Sequence, residues 1–145
     1  MQKRLMARHW GSAIRLGGLL LGATAVAANS INLSGVWALD SARSGPGQCW
    51  KGQSMMLRVE HVADRVIAVE LVNDESGGRI LKREFTTLGR VGNTIQLRAE
   101  QQHNQSSAPS EKWVLSNDCT RLSIHRPCGP SLQELVFQQS TKNTD

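Results

Sequence analysis

The sequence lacks the marks of several large functional classes. It has no Gly-x-Ser-x-Gly and no glycine loop able to cradle a phosphate, so neither a strained serine nucleophile nor a nucleotide site is indicated. It has no His-x-His and no Cys-x-x-Cys, and His61, His103 and His125 fall in unrelated contexts, so no metal site is indicated. No basic patch carries interleaved aromatics, which leaves nucleic-acid binding without support. No window shows an apolar stripe of helical period, which argues against helical folds. With no catalytic constellation and no cofactor motif, the chain reads as a non-enzyme.

The basic charge is also less than it first looks. The chain of 145 residues has 17 Lys and Arg against 12 Asp and Glu. Lys3, Arg4, Arg8 and Arg15 precede an uncharged apolar run from Leu16 to Ala27, and Ala25-Val26-Ala27 offers small residues for cleavage near Ala27 or Ala28. This pattern is a secretory signal peptide over residues 1–28, and about 12 apolar residues are too few to span a bilayer. There is no Arg-Arg pair for the twin-arginine route and no cysteine for a lipid anchor. The secreted chain then carries 13 bases against 12 acids, close to neutral. The expected location is the periplasm or the exterior, with no integral membrane segment after cleavage. In that compartment disulfides are permitted, and Cys49, Cys119 and Cys128 leave one thiol over.

What is present is strand alternation. Leu33 to Asp40 alternates strictly, with Leu33, Gly35, Trp37 and Leu39 on one face. Seven more short runs follow: Met55–His61, Val66–Val72 (Ile67, Val69 and Leu71 on one face), Ile80–Leu88, Thr94–Glu100, Glu111–Leu115 with Trp113, Leu122–Arg126 and Leu132–Gln139. Gly, Pro, Asn and Asp clusters separate them. The fourth and eighth runs carry apolar residues on both parities. Eight antiparallel strands can close into an up-and-down barrel and so remove their edges. The expected layout is an all-β domain over 29–139 and a polar tail over 140–145.

Leu33-Ser34-Gly35-Val36-Trp37 resembles the start of the lipocalin and avidin families, the calycins, whose first strand carries a Gly-x-Trp. The resemblance implies an eight-stranded barrel with Trp37 and Gly35 as structural pieces at a closed base, and a habit of holding small molecules in the open mouth. Glu111 to Asp118 also looks like a late hairpin of small secreted bacterial barrels, in which a glycine follows the Asp; here Cys119 stands there. The lipocalin arginine that packs over the tryptophan has no clear counterpart. The sequence contains no tyrosine, so an avidin-like biotin pocket does not carry over.

In such a barrel the loops alternate between the ends. Loops 41–54, 73–79, 101–110 and 127–131 share one end, the expected mouth; 62–65, 89–93 and 116–121 share the tighter base. Cys49 and Cys128 both fall at the mouth, whereas an extended strand separates Cys119 from Cys128. A bridge needs Cα atoms within about 7 Å, so Cys49–Cys128 is the expected disulfide, with Cys119 free. The candidate ligand contacts are Trp50 and Met55 at the mouth, Arg83 and Trp113. Trp50 and Met55 could equally cap a barrel filled by side chains. Arg83 shares a face with Leu81 and Phe85 and could take an anionic head, pair with Glu70 or Glu134, or point outward if Ile80 and Leu88 face in. The expected function is a secreted or periplasmic binding barrel for a small apolar or amphiphilic ligand. The alternative is a protein-interaction module working through the mouth loops, as an envelope factor or an inhibitor of a secreted enzyme.

Overall fold

The computed structural model describes residues 30–45, 49–50, 53–100 and 110–141. The leader, residues 101–109 of the fifth loop and the end of the tail lie outside the described residues. Eight strands follow one another: β1 Gly35–Leu39, β2 Ser54–Val62, β3 Arg65–Asp74, β4 Gly77–Val91, β5 Thr94–Ala99, β6 Ser110–Leu115, β7 Arg121–Cys128 and β8 Ser131–Gln139. Each pairs antiparallel with its neighbour, and β8 returns to β1, so the barrel is closed. No helix among the described residues is long and apolar enough to cross a membrane.

Alternation decides which side chains go inside. On β2, Met55, Leu57 and Val59 are buried while Ser54, Arg58 and Glu60 are exposed. On β3 the inner face differs from the expected one. Val66, Ala68, Glu70 and Val72 are buried, Leu71 is exposed, and Ile67 and Val69 are only half-buried. Both faces of this strand are apolar, so its own pattern could not choose. The register to β4 does, setting Val66 opposite Phe85 and Ala68 opposite Arg83. On β4 the Arg83 and Phe85 face is the inner one, and Ile80 and Leu88 are exposed. A register shift between Thr87 and Gly89 absorbs Leu88 as an extra residue, a β-bulge.

Three strands run well past their expected mouth ends. The β3–β4 hairpin continues to Asp74 and Gly77, and β7 continues through Pro127 to Cys128. Pro127 is tolerated because β7 pairs with β6 only from Leu122 to His125. Beyond that point it has an edge, where a residue without an N–H is acceptable.

The base half of the interior is filled. Trp37, Trp113, Phe85, Phe137, Leu33 and Leu122 have essentially no exposure. Trp37 stands opposite Gln139, at the last residue of β8, and its Nε1 donates to the Leu33 carbonyl at 3.1 Å. Gly35 between them has φ +148°, a conformation that glycine adopts without penalty. That is the physical content of Gly-x-Trp: the glycine turns the chain so that the indole folds back under the preceding carbonyl. Ser140, the residue after β8, still donates to Val36 O at 2.8 Å.

Cys119 has φ +60° in the base turn between β6 and β7. A left-handed conformation costs a side-chain-bearing residue about 1–2 kcal/mol, of which glycine's greater unfolded freedom returns roughly 0.5–1. Cys119→Gly is therefore expected to stabilise the protein by about 0.5–1 kcal/mol, read as a higher urea midpoint at unchanged slope. An unchanged or lower midpoint would mean that the thiol makes a compensating contact.

Candidate functional site in the mouth half of the barrel

Strand direction places the turns after β1, β3, β5 and β7 at one end. Towards that end the interior changes from apolar to charged. Glu70 on β3, Arg83 on β4, Glu111 on β6 and Arg126 on β7 all point inward. Arg83 Nη1 donates to Glu70 Oε1 at 3.4 Å, and its Nη2 donates to Glu111 Oε1. Arg126 Nη2 donates to Glu70 Oε1 at 2.7 Å, and its Nε lies 3.7 Å from Glu111 Oε1. Each carboxylate thus faces both guanidiniums. Trp113 Nε1 adds a bond of 2.8 Å to Glu111 Oε2, and the Arg83 guanidinium lies 4.8 Å from the centre of the Phe85 ring.

The chain builds this cluster by strand lengths. β5 ends at Ala99, opposite Phe85, so Arg83 lies past its end and reaches β6. The two carboxylates are almost wholly buried, while the Arg83 and Arg126 side chains keep 25% and 16% of their surface exposed. Solvent therefore meets the arginine side of the cluster.

Burial on its own would raise the Glu70 carboxyl, but Arg126 and then Arg83 outweigh it and hold it below its ordinary 4.5. Burial likewise opposes the Arg126 charge, and Glu111 and Glu70 outweigh it, so the guanidinium binds its proton more tightly than usual. A depressed carboxyl contributes stability that is complete above its unfolded pKa and disappears as pH falls through the folded one. The urea midpoints of the wild type and Glu70→Gln should therefore differ at neutral pH and converge as pH drops below 4.5. A constant difference down to acid pH would mean that the Glu70 carboxyl titrates alike in the folded and unfolded chain, and would refute the net favour from the two arginines.

The sequence-predicted contacts sort themselves around the cluster. Met55 is buried on the inner face of β2, at its mouth end, opposite Val72. Trp50 is half-buried against the core, and its indole N–H has no hydrogen-bond partner among the described residues. Trp113 is fully buried, edge-on to Phe85 at 5.5 Å, and meets the cluster from beneath. Arg83 is paired with Glu70 and Glu111; Glu134 lies elsewhere, 3.8 Å from His125 Nε2. Cys49 and Cys128 form a disulfide with a Cα separation of 6.0 Å, and Cys119 is free and exposed. No group of metal-ligating side chains occurs among the described residues.

Sequence reasoning offered Glu70 as a partner of Arg83, which the structure shows, and missed Glu111, Arg126 and Gln133. The signal was parity: Glu111 alternates with Trp113 and Leu115, and Arg126 with Leu122 and Ile124. A closed antiparallel eight-stranded barrel, with its tryptophan at the base end and a polar interior below the mouth, has the calycin fold. Solved structures that share that fold include the following two. One is the siderocalin Ex-FABP, described as functioning through dual ligand specificities: 13% identity, 77% of this chain and 76% of that one covered, TM-score 0.52. The other is a variant of the fluorescent protein UnaG: 7% identity, 76% and 97% covered, TM-score 0.50. No protein-family model and no curated protein matches the chain.

Proposed function

We propose that this is a binding barrel for a small apolar or amphiphilic molecule, sent to the periplasm or the exterior by its leader. The observation that carries the reading is Leu81. It stands on the inner face of β4 with Arg83 and Phe85, yet it is 43% exposed. An inward apolar side chain left open to water, above a floor of polar groups and at the same end of the barrel as Met55, suits an apolar chain entering from the mouth. Ligands of the similarly folded siderocalin support small-molecule binding as a class and no particular compound.

Native mass spectrometry of the secreted chain after exposure to a lipid extract tests this. A retained adduct is expected, lost or weakened about tenfold in Leu81→Asp, roughly the scale of burying one large apolar side chain. Repeated absence of any adduct overturns the reading.

One observation favours a second reading, a protein-interaction module. Leu71 and Ile80 face each other across the β3–β4 hairpin, and both are exposed, at 42% and 69%. A partner captured from periplasmic extract and lost in Leu71→Ser/Ile80→Ser would support it.

A further inference from the structure

The site is short of hydrogen-bond acceptors, not of positive charge. Arg83 and Arg126 are each matched by Glu70 and Glu111, so the cluster is formally neutral. Within the cluster itself an incoming carboxylate would find both arginines already matched and would face two buried carboxylates in place. What the mouth half does leave over is N–H groups. Trp50 Nε1, Arg126 Nε and Gln133 Nε2 are buried without a hydrogen-bond partner among the described residues. Arg126 Nε, at 3.7 Å from Glu111, is beyond hydrogen-bond range.

These donors are carried by connected segments. Gln133, only 3% exposed, stands opposite Arg126 in the β7–β8 register. Cys128, further along the inner face of β7, is bonded to Cys49, the neighbour of Trp50. The disulfide therefore ties the backbone beside Trp50 to the same strand as Arg126, and Trp50 packs against the core. Thr87, the remaining buried group without a partner, stands opposite Leu97 on another wall.

We propose that the mouth site recognises the neutral, acceptor-bearing head of its ligand, an amide or ester carbonyl, and discriminates against a carboxylate. The proposal rests on the small-molecule reading above and specifies the chemistry of that ligand. Buried donors left unpaired are costly, and a carbonyl oxygen with two lone pairs can serve two of them at once. Two of the three donors are themselves neutral, so they supply direction without charge.

Competition between decanamide and decanoate at neutral pH, read by native mass spectrometry on the secreted chain, tests the assignment. The amide is expected to bind about tenfold more tightly, the scale of one net hydrogen bond. Gln133→Leu combined with Trp50→Phe should erase that preference by bringing amide binding down to the level of decanoate binding in the same variant, and near-UV circular dichroism should confirm native packing. Decanoate binding as tightly as the amide overturns the head-group assignment alone. So does a preference that survives both substitutions. If neither compound binds, nor decanol, the small-molecule reading falls and takes this assignment with it.

Discussion

Replacing Glu111 with leucine is expected to lower stability by about 3–5 kcal/mol, the usual cost of removing one partner from a buried ion pair. Its side chain is 1% exposed, and it accepts from Arg83 Nη2 and Trp113 Nε1. Without it, Arg83 and Arg126 share Glu70 alone, and the Trp113 N–H loses its acceptor deep in the core. Against a typical total of about 5–15 kcal/mol, that loss could unfold the protein near physiological temperature. The cost is one of imbalance and not of lost volume, since leucine fills similar space. Glu111→Leu with Arg83→Met restores neutrality and leaves the 2.7 Å pair of Arg126 and Glu70. The double variant should therefore recover more than half of the loss. Urea unfolding of the four proteins of the cycle measures it. A double variant no more stable than Glu111→Leu would place the cost in packing and refute the charge argument.

The charged cluster also marks where the sequence stopped being readable. Alternation was enough for the eight strands, their order and the closed barrel, because a strand with one apolar face has one inward choice. β3 shows the limit. Ile67, Val69 and Leu71 alternate as well as Val66, Ala68 and Val72, and only the pairing of Ala68 with Arg83 and Glu70 with Leu81 settles the face. Glu111 and Arg126 were legible as inward by parity, but a lone carboxylate or guanidinium among apolar neighbours reads as solvent-facing until its counter-charge is found. The counter-charges lie far along the chain, Arg126 and Glu70 being 56 residues apart. Pro127 and Gly77 misled in a simpler way. Both look like breakers, yet one lies on a strand edge and the other, with φ +117°, begins β4 straight out of its turn.

Removing the disulfide by Cys49→Ala/Cys128→Ala is expected to cost about 4–5 kcal/mol, from the loop-closure entropy of a cross-link spanning 79 residues. Most of that loss acts on the unfolded chain, which gains freedom, so the folded barrel need not change shape. One part of it should change. The segment after β1 is held along β8 at its start by Gly45 N to Glu134 O at 3.0 Å and Val136 N to Ser44 Oγ at 3.0 Å. Its far end, Cys49 and Trp50, is tied by the bond to Cys128. In the variant, under conditions where it is still folded, Trp50 should become more accessible to acrylamide. Trp37 and Trp113 are 1% and 0% exposed, so in protein prepared without residues 1–28 any gain in quenching reports Trp50. Ligand affinity should fall with it, since Trp50 is one of the three donors assigned to the head group, and Trp50→Ala should reproduce the loss of affinity at a much smaller cost in stability. Quenching that stays at the wild-type level would mean that the contacts of residues 44 and 45 hold the whole segment. The disulfide would then contribute stability but no shape to the site.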